Sequence, residues 1–139
     1  MAFDRSRENT SIKTVVIDTS AIMMLFEFSI DLENELTRLL GKYKIVVPSA
    51  VIDELRFLKD KSKGKKKKIA KPALKLAKGF EILDTSIRNA DDAVLSVAKK
   101  QKGVVFSNDK ELRSRAKKQK LKTICLRSKN YLMINENFV

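Results

Sequence analysis

The stretch that most constrains this chain is Val15-Val16-Ile17-Asp18-Thr19-Ser20. Three β-branched apolar residues in succession read as a strand buried on both faces, a property of parallel sheets. An acid follows at once, then two hydroxyls. Asp18 therefore stands at the carboxyl end of a central strand, the edge at which open α/β sheets bind ligands. The plainer role for these residues is to cap the next helix. This stretch alone leaves both readings open.

Apolar periodicity predicts further strands over residues 43–47, 80–83, 104–107 and 122–126. Between them it predicts helices over 21–28, 31–42, 50–59, 91–102 and 110–120, with a shorter one at 72–77. Ser29 or Asp31 can cap the second helix and Gly41 end it; Ser49 can cap the third, Pro72 falls in the first turn of the fourth, and Gly103 ends the fifth. Strand and helix alternate throughout. The expected fold is a three-layer α/β/α domain around a mainly parallel five-stranded sheet. A chain of 139 residues suits one domain, placed at 13–139 after a polar segment, 1–12, that lacks a signal-peptide pattern. Residues 127–139 read as an edge strand or a tail. No apolar run approaches a membrane span, so the expectation is a soluble, cytoplasmic protein.

Composition narrows the chemistry. There is no histidine, and Cys125 is the lone cysteine. Ser-His and Cys-His pairs, a disulfide framework and a thiolate zinc site are excluded. Catalysis would rest on carboxylates, hydroxyls, lysine or a metal held by oxygen.

The acids are arranged to suit the last of these. Asp18 and Asp109 follow the first and fourth strands. Glu54 lies a turn into the helix after strand two, beside its buried stripe, whereas Asp53 points away. Asp91 and Asp92 open the helix before strand four. In a parallel sheet all these positions face one edge. Like charges about 4 Å apart repel by about 4 kcal/mol at an effective dielectric near 20, so such a group calls for a compensating cation. Oxygen ligands without His or Cys suit Mg²⁺ or Mn²⁺. Thr19, Ser20 and Asn108 would hold water or aim the carboxylates. For Asp91 and Asp92, a helix N-terminus offers a sufficient role without any metal.

The charge points to the partner. The net charge is +13, and Lys59 to Lys78 contains ten lysines and one acid. A polyanion, most often nucleic acid, is the expected partner. Lys61 to Lys68 has no apolar residue and reads as an exposed, mobile loop within a lysine-rich segment at 59–71. Lys65, Lys66, Lys67 and Lys68, with Arg113, Arg115, Lys117 and Lys118, form the expected RNA track.

Four stretches in order resemble the PIN-domain family: Ile17-Asp18-Thr19-Ser20-Ala21, Val47 to Leu55, Ala90 to Leu95, and Val105 to Leu112. The resemblance runs from about Lys13 to Leu132. The ending Ile124 to Leu132 looks most like archaeal PIN proteins related to ribosomal-RNA processing nucleases. The resemblance implies an Mg²⁺- or Mn²⁺-dependent endoribonuclease acting on single-stranded RNA, with pre-rRNA a natural substrate and a homodimer a common state. It makes Asp18, Glu54, Asp92 and Asp109 the catalytic, metal-binding acids. Register to Gly103 favours Asp92 in this set. The helical wheel instead brings Asp91 nearer the apolar stripe, so Asp91 stands as an accessory ligand. The lysine-rich loop departs from compact toxin-type members.

Competing readings are a non-catalytic RNA-binding ribosome-assembly factor, a PIN-type toxin of a toxin–antitoxin pair, and a response-regulator receiver. A receiver would use an acid after strand three, where Leu83-Asp84-Thr85 stands, but its paired acids after strand one are missing.

Overall fold

A computed structural model of the chain describes residues 11–136. Its core strand is β1 (Lys13–Ile17), where Val15, Val16 and Ile17 are all 0% exposed. Successive strand residues point to opposite faces, so three fully buried in a row require a covered sheet on both sides. The remaining strands are β2 (Tyr43–Pro48), β3 (Glu81–Leu83), β4 (Val104–Phe106), β5 (Thr123–Ser128) and β6 (Tyr131–Asn135). The helices are α1 (Thr19–Met24), α2 (Leu32–Leu40), α3 (Ser49–Lys61), α4 (Gly64–Lys78), α5 (Ala90–Gln101) and α6 (Lys110–Lys118).

The sheet order is β3-β2-β1-β4-β5-β6, and every neighbouring pair is parallel except β5–β6. The α/β/α expectation holds, with six strands rather than five. The sixth is the final stretch: Leu132 and Ile134 pair with Leu126 and Ile124 across a bulge at Leu126/Ser128. The expected polar segment lies outside the described residues up to residue 10, as do 137–139 of the last stretch. Among the described residues no helix is long and apolar enough to cross a membrane.

Chain direction in this order matters for the site. After β1 the chain passes to β2 on one side; after β4 it passes to β5 on the other. The carboxyl ends of β1 and β4 therefore flank the switch point of the sheet, where open α/β folds leave a crevice. The order also rejects the receiver, whose sheet runs 2-1-3-4-5; Asp84 is exposed beyond the short edge strand β3.

The lysine-rich loop is not a loop. α3 continues to Lys61, only Ser62 and Lys63 intervene, and α4 begins at Gly64. Pro72 lies well inside α4, not in its first turn. Lysine is a good helix former, and α4 is anchored by Ala70, Ala73, Leu74 and Ala77, all buried. The apolar residues needed to fix the helix lie C-terminal to the lysine run, so the run itself carries no apolar signal. Ser49 also departs from expectation. It opens α3, and its hydroxyl accepts from the Thr85 N–H at 3.0 Å, tying the helix to the loop after β3. The fifth helix closes on Lys102, which takes the left-handed conformation at φ 51°. Gly103 has a separate reason to be glycine: a Cβ there would stand 2.8 Å from the Thr14 carbonyl oxygen of β1.

Candidate metal-dependent active site

Asp18 leaves β1 directly into α1 and is 3% exposed. It does cap that helix: its Oδ1 accepts from the Ala21 N–H at 2.8 Å. The Ser20 hydroxyl lies 2.9 and 3.0 Å from the two carboxylate oxygens, and the Ser107 hydroxyl donates to Oδ2 at 2.5 Å. Burial nevertheless dominates and raises the carboxyl from its usual 3.8 to about 6, against the lowering effect of the Ser107, Ala21 and Ser20 hydrogen bonds. A cap alone needs no such site. An exposed Asp would accept the same N–H bond without being desolvated.

The end of β4 is tied to the end of β1 by the same serines. The Asp109 N–H donates to Ser107 Oγ at 2.9 Å, and the Asn108 N–H donates to Ser20 Oγ at 3.0 Å. Asp109 caps α6, its Oδ1 accepting from Glu111 and Leu112 N–H groups. Each strand-end acid thus fixes its helix and faces the shared crevice. Ser107 was not among the expected site residues. Its signal was a hydroxyl closing the apolar run Val104-Val105-Phe106 just before Asn108-Asp109.

A cavity of about 660 Å³ opens at this edge. Asp18, Glu54, Asp91 and Asp109 all line it, with Thr19, Ser20 and Asn108. Met23, Met24, Glu27, Phe28 and Leu58, with Lys65, Lys66 and Ile69 from α4, complete the lining. Asp91 is half-buried, and its carboxyl is raised by desolvation first, then by the Asp109 and Glu54 charges. That coupling places three carboxylates within electrostatic reach of one another.

Asp92 does not line the cavity. It is exposed and pairs with Arg115 at 2.5 Å. The helical wheel, not the register to Gly103, gives the placement found here. Arg113 Nη1 donates to the Ser107 carbonyl at 3.3 Å, so both arginines of the expected track are engaged by the protein. Neither they nor Lys117 and Lys118 line the cavity, whereas Lys65 and Lys66 do. Lys67 and Lys68 are exposed on the outer side of α4.

The donor set suits a hard divalent cation: oxygen ligands, no imidazole and no thiolate. Thr19 adds a second sign, since its buried Oγ1 has no hydrogen-bond partner. Among the described residues, no three acidic or cysteine side chains are close enough to hold an ion between them. Mg²⁺ does not require that, because it keeps several waters and binds through one or two carboxylates.

Known proteins resemble the chain in sequence and in fold. A family model described as a PIN like domain matches residues 15–129. The chain is 33% identical over 124 residues to ribonuclease VapC4 of Methanocaldococcus jannaschii, covering 86% of this chain and 95% of that protein. It is 32% identical over 119 residues to ribonuclease VapC9 of Archaeoglobus fulgidus, covering 86% of each. Its structure resembles that of the PIN domain endonuclease Utp24, with TM-score 0.74 and 26% identity over 89% of this chain and 92% of that one. A domain of a functionally unknown protein from M. jannaschii shares the fold at TM-score 0.62 and 16% identity, covering 84% of this chain and 92% of that one.

Proposed function

The chain belongs to the PIN-like domain family, and from that premise we propose that it is a divalent-metal-dependent endoribonuclease acting on single-stranded RNA. One observation carries the reading: Asp18, Glu54, Asp91 and Asp109 line one cavity at the switch point of the sheet, with Lys65 and Lys66 beside them. The ribonuclease relatives supply the substrate class.

In this proposal one or two of the carboxylates of Asp18, Asp91, Asp109 and Glu54 would hold Mg²⁺ or Mn²⁺ directly, and the others would meet it through its waters. The cation would acidify a water for attack on phosphorus and neutralise charge on the phosphate. Asp18 is the rigid member. Ser20, Ser107 and the Ala21 N–H fix its rotamer, leaving acceptor capacity for a further partner. Thr19 Oγ1 can orient a water. Lys65 and Lys66 offset the repulsion that a carboxylate-lined cavity exerts on an incoming phosphodiester. Lysine meets phosphate as a point charge and reads no sequence. Asp92 belongs outside the ligand set, as the partner that holds Arg115.

The test is cleavage of a labelled, unstructured RNA with Mn²⁺, with EDTA, and by Asp18→Asn. Metal-dependent internal cuts that the variant loses support the proposal; cleavage indifferent to both treatments defeats it. A role in rRNA maturation is one setting for such an enzyme. A toxin-type ribonuclease is the second. The lysine segment that set this chain apart from compact toxins is a packed helix pair, and the chain covers 95% of one ribonuclease relative and 86% of the other. Induced expression separates the two: growth arrest that requires Asp18 favours the toxin, and altered rRNA processing without arrest favours maturation.

A further inference from the structure

The acid cavity does not end at α1. A second cavity, of about 500 Å³, lies against it and shares two of its walls, Glu27 and Phe28. Its other lining residues are Ser29 and the β5–β6 turn, Ser128, Lys129 and Asn130. Phe28 is half-buried, packed against the core on one side and lining both cavities on the other. The turn residues are exposed and polar, and Ser128 donates to Asn130 Oδ1 at 3.3 Å.

We propose that this second cavity is a nucleobase subsite, taking the base of a nucleotide next to the phosphate held in the acid cavity. The proposal rests on the ribonuclease reading above. Single-stranded nucleic acid binds through aromatic faces on which bases stack, joined to cationic groups that follow the backbone. Phe28 supplies the face at the junction of the two cavities. Glu27 and Asn130 supply acceptors for a base's exocyclic amino group, a contact that discriminates because the bases differ in their donor and acceptor patterns. Lys129 stands where the backbone would leave the subsite. In the acid cavity itself Lys65 and Lys66 would meet the backbone. The strand would therefore pass from the acid cavity, over Phe28, to the β5–β6 turn.

The test uses the full chain and a short unstructured RNA carrying 2-aminopurine at successive positions, bound in EDTA so that it stays uncut. Stacking on Phe28 should quench the fluorophore at one position and not at its neighbours. Phe28→Leu should abolish the quench and weaken binding about tenfold, within the range that loss of one base–aromatic stack gives. Asn130→Ala, on an exposed turn and harmless to the core, should alter the preference among bases at that position alone. In Mn²⁺, Phe28→Leu should raise KM more than it lowers kcat. If the wild-type protein binds and cuts the RNA but quenching is uniform and both variants behave as wild type, the subsite is absent and the nuclease stands. If the wild-type protein neither binds nor cuts RNA, both fall.

Discussion

Asp18 concentrates the physics of the site at the scale of one residue. Its carboxyl is raised to about 6 by burial, so the folded chain holds a proton that the unfolded chain releases near 4. Between those values the folded state binds more protons, and stability falls as pH rises. Above about pH 6 the cost is constant, at roughly 3 kcal/mol for a shift of this size. Asp18→Asn keeps an oxygen for the Ala21 N–H and removes the charge. In EDTA the variant should match wild type near pH 4 and exceed it by up to roughly 3 kcal/mol at pH 7, read by urea unfolding. A constant difference across that range would mean that Asp18 does not ionise as described. The neighbouring acids give a second prediction. Asp91→Asn should lower cleavage by about 10- to 100-fold or more, as should Ser107→Ala through its hold on Asp18. Asp92→Asn should leave the rate within a few-fold of wild type, because it breaks only an exposed ion pair with Arg115. An Asp92 variant as inactive as the Asp91 variant would restore the assignment made from register.

At the scale of elements, α4 is where sequence and structure part most. β1, β2 and β4 were legible because each is a short apolar run flanked by turn or acid signals, and burial on both faces leaves no other reading. Asp18, Glu54 and Asp109 were legible for the same reason: each is fixed by its offset from such a run. The lysine segment was not, since lysine contributes helix propensity without an apolar period and the anchoring alanines come later. Asp91 and Asp92 were ambiguous because both stand in the first turn of one helix, and a rotation of about 100° decides which faces the crevice. Ser107 and the wall formed by Phe28 depend on tertiary neighbours that no local pattern announces. Helical α4 carries its own prediction. Pro72 is exposed and interior, so Pro72→Ala should restore a helical hydrogen bond and stabilise the chain by about 1–3 kcal/mol, less what the unfolded state gains in freedom. A destabilised variant would mean that Pro72 sets a bend the packing needs.

Across the whole molecule, charge is divided by the fold. Asp18, Glu27, Glu54, Asp91 and Asp109 line the crevice, while Lys67, Lys68, Lys71, Lys75 and Lys78 stand exposed on α4. A net charge of +13 then guides a polyanion to a site that would repel it locally. Replacing Lys67, Lys68, Lys71 and Lys75 by Ala should weaken RNA binding for every sequence alike. Each phosphate that the variant no longer neutralises should flatten the slope of log K against log salt by about 0.7. Replacing Lys65 and Lys66 should instead slow cleavage by more than it weakens binding, since they line the cavity itself. Whether the carboxylates at the switch point of the sheet support cleavage of RNA with a divalent cation is decided by one assay. Labelled single-stranded RNA is incubated with wild-type protein and with folded Asp18→Asn, each in Mn²⁺ and in EDTA. The expected result is internal cleavage in the one combination of wild type with Mn²⁺. Cleavage that survives EDTA or the substitution, or none by wild type in Mn²⁺, would contradict it.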